Sequence, residues 1–162
     1  MSGEHQPALI PLARDPIVFT VSGVPFAWTR PGVRVASRRI AGKVNYFAVM
    51  YTPDEMRAAA SAFLHMARPF APKKPLRGPL RLDVLFVVPI PASWPARDKA
   101  DAATGRRWPT GKPDRDNFLK LIQDAMNEVF WVDDAQVCAG ETTKIYGHDP
   151  RTEVRITQLL EE

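Results

Sequence analysis

The feature that most constrains this chain is the stretch from Lys112 to Val137, KPDRDNFLKLIQDAMNEVFWVDDAQV, in which five aspartates surround a single amphipathic segment. Phe118, Leu121, Ile122, Ala125, Met126 and Val129 recur every three or four residues, so on a helix they form one apolar stripe that must face a core. Asp116 is placed as an N-cap or first-turn residue, where a carboxylate meets free amide hydrogens and the positive end of the helix dipole. Asn117, Lys120, Asp124 and Asn127 line up along the opposite, polar side. The pattern predicts a helix from about Asp116 to Phe130, then a turn at Asp133 and Asp134, then a strand.

This order poses a problem of placement. Asp114 and Asp116 precede the helix whereas Asp133 and Asp134 follow it, about 25 Å away on a straight helix rising ~1.5 Å per residue. The two pairs meet only if the following strand runs back beside the helix start, or if a second subunit supplies the missing carboxylate. Gathered carboxylates repel one another and raise one another's pKa unless a cation lies among them. Mg²⁺ takes oxygen ligands in octahedral geometry and needs few carboxylates, because it keeps several waters. Asp114, Asp116 and Asp134 would make such a set, and Lys120, one turn from Asp116, would add positive charge where a phosphodiester is cut. The same spacing also fits ordinary folding chemistry, since Asp-x-Asp before a helix caps it and Asp-Asp after a helix turns the chain. The residue pattern alone leaves both readings open.

The run KPDRDN, Lys120, Asp124-Ala125 and the segment WVDDAQV from Trp131 to Val137 together resemble the RusA family of Holliday junction resolvases. The resemblance extends upstream to FTVSGVPFAWTRPGVR and YTPDEM and downstream to Lys144-Ile145-Tyr146-Gly147, from about Ile17 to Leu159. It implies a homodimeric endodeoxyribonuclease that cuts four-way DNA junctions in recombination and repair, using Mg²⁺, with Mn²⁺ able to substitute. By position, Asp114, Asp116 and Asp134 resemble the family's metal-binding aspartates and Lys120 its essential lysine.

The rest of the chain fits a support for this segment. A length of 162 residues with 45% hydrophobic and 25% charged content suits one globular domain. One cysteine, Cys138, cannot form an internal disulfide, and no secretory signal or long apolar run is present, so a cytoplasmic protein without membrane contact is expected. His5, His65 and His148 are too scattered for a zinc site, and no glycine-rich phosphate loop occurs. Charge is unevenly spread: residues 1–113 hold 17 Lys+Arg against 7 Asp+Glu, net +10, and residues 114–162 hold 5 against 11, net −6, together the overall +4. A basic scaffold around an acidic, cation-requiring centre suits an enzyme of nucleic acid.

Residues 1–15 lack periodicity and are expected to form a poorly ordered tail before a single domain over 16–162. Ile17 to Val21 reads as a strand. Between Pro16 and Pro53 no acidic residue occurs, whereas Arg30, Arg34, Arg38, Arg39 and Lys43 do, interleaved with Trp28 and Tyr46. These five are candidate DNA contacts, on a strand or loop laid along the phosphates or on a merely solvated hairpin. Thr52 and Pro53 start a helix running to about Ala67, its stripe formed by Met56, Ala59, Ala60, Phe63, Leu64 and Ala67. Lys73, Lys74 and Arg77 fall in the next loop, where Lys73 and Lys74 are further DNA candidates.

Leu80 to Val88 reads as a central strand, with Asp83 on its less buried face. Residues 89–113, including Arg97, Lys99, Arg106, Arg107 and the DNA candidate Lys112, form a long loop expected to become ordered on DNA. Two closing strands, Val137 to Tyr146 and Thr152 to Leu160, complete an α+β domain with a mixed or antiparallel sheet against two main helices. The alternatives are a module that binds branched DNA without cleaving it, and a phosphohydrolase of small phosphate esters, for which the basic segments would be superfluous.

Overall fold

Leu80–Pro89 alternates apolar and polar residues at its start and is continuously apolar from Val84 to Val88, and it lies in the middle of a five-stranded sheet. The computed structural model describes residues 15–28, 32–40, 43–51 and 53–160. Arg30, Thr52 and residues 1–14 of the expected tail lie outside the described residues. In chain order β1 (Ile17–Ser22) is followed by a hairpin of β2 (Gly32–Ile40) and β3 (Lys43–Tyr51), then helix α1 (Asp54–Ala67) and β4 (Leu80–Pro89). Helices α2 (Ala96–Ala103) and α3 (Arg115–Met126) come next, and β5 (Val137–Ala139), β6 (Thr142–Gly147) and β7 (Arg151–Gln158) close the domain.

β7 lies antiparallel between β1 and β4, while β5 and β6 both run parallel to the far side of β4. The sheet is therefore mixed, because a strand reached through a helical crossover can return parallel to the one it left. Leu80, Leu82, Val84 and Phe86 present one face of β4 to Phe19 and Val21 of β1 and to Val154 and Ile156 of β7. Phe63 and Ala67 of α1 and Phe118, Ile122 and Met126 of α3 cover that face, so both helices lie on one side. The stripes read from the sequence are the buried ones.

Three segments differ from the sequence reading. α3 stops at Met126 rather than Phe130, and Glu128 turns the chain in the left-handed region at φ 63°. Phe130 and Trp131, both fully buried, then drop into the core instead of continuing the helix. Complete burial of such rings contributes roughly 1.5–3 kcal/mol each, more than one further helical turn offers. The segment 89–113 is not a bare loop awaiting DNA: it holds α2, and Arg107 sits 3.9 Å over the Trp94 ring while pairing with Asp98 at 2.7 Å. Its prolines and short apolar content hide that helix, which buries only Ala102.

The expected strand Val137 to Tyr146 is broken at Gly140 and Glu141, where Asp83 Oδ1 accepts the Glu141 amide hydrogen at 2.8 Å. Asp83 thus ties the crossover to β4, a structural task. The basic segment upstream forms an antiparallel hairpin in its own two-stranded sheet, pairing Arg38 with Asn45 and Arg39 with Val44. No helix among the described residues is long and apolar enough to cross a membrane.

Candidate metal centre

Asp114 is the N-cap residue of α3, with extended backbone at φ −68° and ψ 149°, and Asp116 falls in the first turn as expected. Its carboxylate makes no capping hydrogen bond, although capping is the ordinary reason for an aspartate there. Asp116 stands in the first turn with its side chain 87% exposed, 3.7 Å from Arg115 Nε. Both carboxylates face water at the positive end of the helix dipole, where negative charge is favoured.

The polar face of α3 then carries Lys120 and Asp124 one and two turns further on. Lys120 Nζ lies 3.9 Å from Asp124 Oδ2 and 5.1 Å from the centre of the Trp28 ring. Trp28 is fixed over the helix start by its amide hydrogen, donated to the Asn117 carbonyl at 2.7 Å. Burial pushes the Asp124 carboxyl above the ordinary carboxylate value; Lys120 opposes the rise and the nearby charge of Asp134 adds to it.

The two aspartates after the helix have separate tasks. Asp133 caps the short 3₁₀ turn Asp134–Gln136: its Oδ1 accepts the Ala135 amide hydrogen at 2.8 Å, and Gln136 Oε1 accepts the Asp133 amide hydrogen at 2.9 Å. Asp134 is oriented instead by the buried Trp131, whose Nε1–H donates to Asp134 Oδ1 at 2.7 Å. One carboxylate oxygen is thereby held by the indole.

Asp134 shares the Asp124 end of α3. With ~1.5 Å of rise per residue, eight residues put Asp124 about 12 Å from Asp116. The returning strand does reach the helix start, but there it brings Thr142, Thr143 and Lys144 to Asp114 rather than an acid. Among the described residues no three carboxylate, imidazole or thiolate groups converge closely enough to hold an ion. Asp114, Asp116 and Asp134 therefore do not fit a single ion within one protomer, and they lie in two groups at opposite ends of one helix face.

Of the DNA candidates, Arg38 and Arg39 on β2 and Lys73, Lys74 and Lys112 in loops are exposed. Arg34 and Lys43 are placed on β2 and β3, but their side chains, like Arg30 as a whole, lie outside what is described. Sequence reasoning assigned no role to Lys144 or Arg115. Lys144 Nζ donates to the Gly111 and Pro113 carbonyls at 2.8 and 2.9 Å, and Arg115 donates to the Thr142 carbonyl at 3.1 Å. Together they fasten the segment that delivers Asp114. The signal for Lys144 was present in the run KIYG, whose spacing shows no function by itself.

The model of the family described as endodeoxyribonuclease RusA matches residues 25–157, which include both acidic groups and the basic hairpin. The chain belongs to the RusA endodeoxyribonuclease family. Among similar proteins, YqaN of Bacillus subtilis (strain 168), described as uncharacterized, is 33% identical over 147 residues, 90% of this chain and 98% of its own length. The crossover junction endodeoxyribonuclease rusA of Lactococcus phage r1t is 35% identical over 54 residues, 33% of this chain and 41% of its own. Membership in the RusA family indicates nuclease activity on DNA.

Proposed function

We propose that this protein is a divalent-metal-dependent endodeoxyribonuclease that resolves four-way DNA junctions as a homodimer, with a role in recombination and repair. The observation that carries the reading is the exposed pair Asp114 and Asp116, the first without the capping bond that would otherwise account for it, in a chain of a DNA-cutting family. Because α3 separates them from Asp134, the complete centre takes Asp114 and Asp116 from one copy and Asp134 from another. The oxygen-only donor set suits Mg²⁺, with Mn²⁺ as a substitute, and such an ion, when bound, would activate water and neutralise charge on the phosphodiester.

The chain's own residues then have definite tasks. Lys120, held on the polar face by Asp124 and Trp28, presents an ammonium group to the same phosphate. Arg38, Arg39, Lys73, Lys74 and Lys112, with Arg30, Arg34 and Lys43, bind the backbone of the arms, an interaction that weakens steeply with salt. A junction with two-fold symmetry matches a two-fold dimer, in which each centre faces one of two opposed strands.

Cleavage of a synthetic four-way junction and of a linear duplex, each with Mg²⁺, Mn²⁺ or EDTA, tests the reading. The junction is cut only when an ion is present. Asp116→Asn binds it and does not cut, and Lys120→Ala cuts at least about 100-fold more slowly, the usual loss when one charge-stabilising donor is removed. Binding without cleavage in every ion would identify a non-cutting junction-binding module instead. Normal cleavage by Asp116→Asn would remove that residue from the centre.

A further inference from the structure

The segment between α2 and α3 places a large aromatic ring beside Asp114. Trp108 is 56% exposed, more than the exposed rings of Phe26 and Phe70, although the indole is the side chain with most to gain from burial. It is not on a loose strand of chain. Pro109, the next residue, is buried, and Arg107, the one before, is held by Asp98 and by the face of Trp94. Trp94 in turn meets the Tyr146 ring of β6 edge-on at 5.2 Å. On the other side, the two carbonyl contacts of Lys144 pin Gly111 and Pro113. The chain that carries the exposed indole is thus fastened on both sides of it.

Trp108 walls an open cleft of about 500 Å³ whose other sides include Asp114, Arg115, Thr143 and Lys144. That volume is in the range of sites that take a small ligand or one nucleotide. The cleft pairs an apolar, π-bearing wall with two cations and hydroxyl groups, which is the chemistry of a nucleotide: a base for the ring, a phosphate for the charges. Arg115 and Lys144 each retain N–H donors beyond those given to backbone carbonyls.

We propose that Trp108 is a stacking platform that receives one unstacked nucleobase next to a phosphate bound by Arg115 and Lys144, and that it contributes to the preference for branched over continuous DNA. The proposal rests on the junction-nuclease reading above. In an intact duplex every base is already stacked, so the ring gains nothing unless a base is pulled out at a cost. At a branch point the neighbouring stack is interrupted and that cost is small. Stacking on an indole tolerates any base, so Trp108 selects DNA shape and not sequence.

Four-way junctions carrying 2-aminopurine at the branch point provide the test, bound to the full-length protein in EDTA so that no strand is cut. Stacking on indole quenches the probe. Trp108→Leu, smaller and apolar but without a π face, is expected to leave the bound probe brighter and to weaken junction binding about 5- to 150-fold, while duplex binding stays unchanged. Trp108→Phe falls between. Unchanged duplex binding and melting temperature show that the leucine variant is folded. If it binds and quenches the junction as the parent does, the platform is wrong while junction cutting by the parent leaves the nuclease reading intact. If the parent does not distinguish junction from duplex, both fall. Conversion of a dimeric parent to a monomer by Trp108→Leu would make the ring a subunit contact and overturn the proposal.

Discussion

The Asp124 side chain is 46% exposed, and its loss of hydration outweighs the Lys120 ammonium 3.9 Å away, so its carboxyl titrates above the ordinary value of 3.8. The sign of the consequence follows from linkage. A raised folded-state pKa means that the folded protein holds the proton more tightly than the unfolded chain, so Asp124 favours folding below pH 3.8 and that contribution disappears as pH rises through the raised value. Asp124→Asn removes the titration. Measured in chelator from pH 3 to 7, the melting temperature of the parent is expected to gain on that of the variant as pH falls through this window. At neutral pH the two differ by no more than about 1 kcal/mol, since a half-exposed ion pair is worth little. A parallel pair of curves would show that Asp124 has the same pKa folded and unfolded. The variant also frees Lys120, so its cleavage rate reports whether that ammonium needs its neighbour to stay on the phosphate side of α3.

Between β5 and β6 the chain makes a bulge that only glycine accommodates. Gly140 has φ +145°, and a Cβ there would overlap the carbonyl of Leu82, a backbone group of the central strand that cannot move aside. Gly140→Ala is expected to lower unfolding free energy by about 2–4 kcal/mol in urea titration, strain and overpacking combined. It should also impair cleavage, because the bulge sets the register of Thr142 to Lys144 against Asp114. A loss under about 0.5 kcal/mol would mean that the bulge relaxes without cost. How much of this was legible depends on the kind of signal each element leaves. The α3 stripe was readable because Phe118, Leu121, Ile122 and Met126 repeat with the helix period, and the same four are buried. Its end was not, because Glu128 adopts a left-handed turn usually marked by glycine and the burial of Phe130 and Trp131 is a tertiary effect. α2 left no trace, since a helix that buries a single alanine has no apolar period to read. Nor does any local pattern announce that Asp83 fastens the β5–β6 bulge; that contact spans 58 residues and exists only once β4 and β6 are parallel.

Across the whole molecule, the contrast between the basic first 113 residues and the acidic remainder leaves Arg38, Arg39, Lys73, Lys74 and Lys112 exposed as well as Asp114 and Asp116, because charged side chains seldom bury and so keep on the surface what the sequence contains. The meeting of the acids did not translate, and the geometry says why: the strand that returns to Asp114 carries Thr142 and Lys144, whereas Asp134 is held by Trp131 beside Asp124. On the proposed reading one chain supplies two half-sites at opposite ends of α3. In the proposed dimer a two-fold axis joins them, each copy giving Asp114 and Asp116 to one centre and Asp134 to the other. Mixing two inactive variants, Asp116→Asn and Asp134→Asn, tests this directly. In a dimer containing one of each, one centre collects both substitutions and the other collects none. With random exchange half of the dimers are mixed, so up to about a quarter of the centres become active. The junction should then be nicked on one strand per binding event rather than cut on two. If each centre were built within one chain, every centre in the mixture would still contain one substituted aspartate, and no cleavage would return at any ratio.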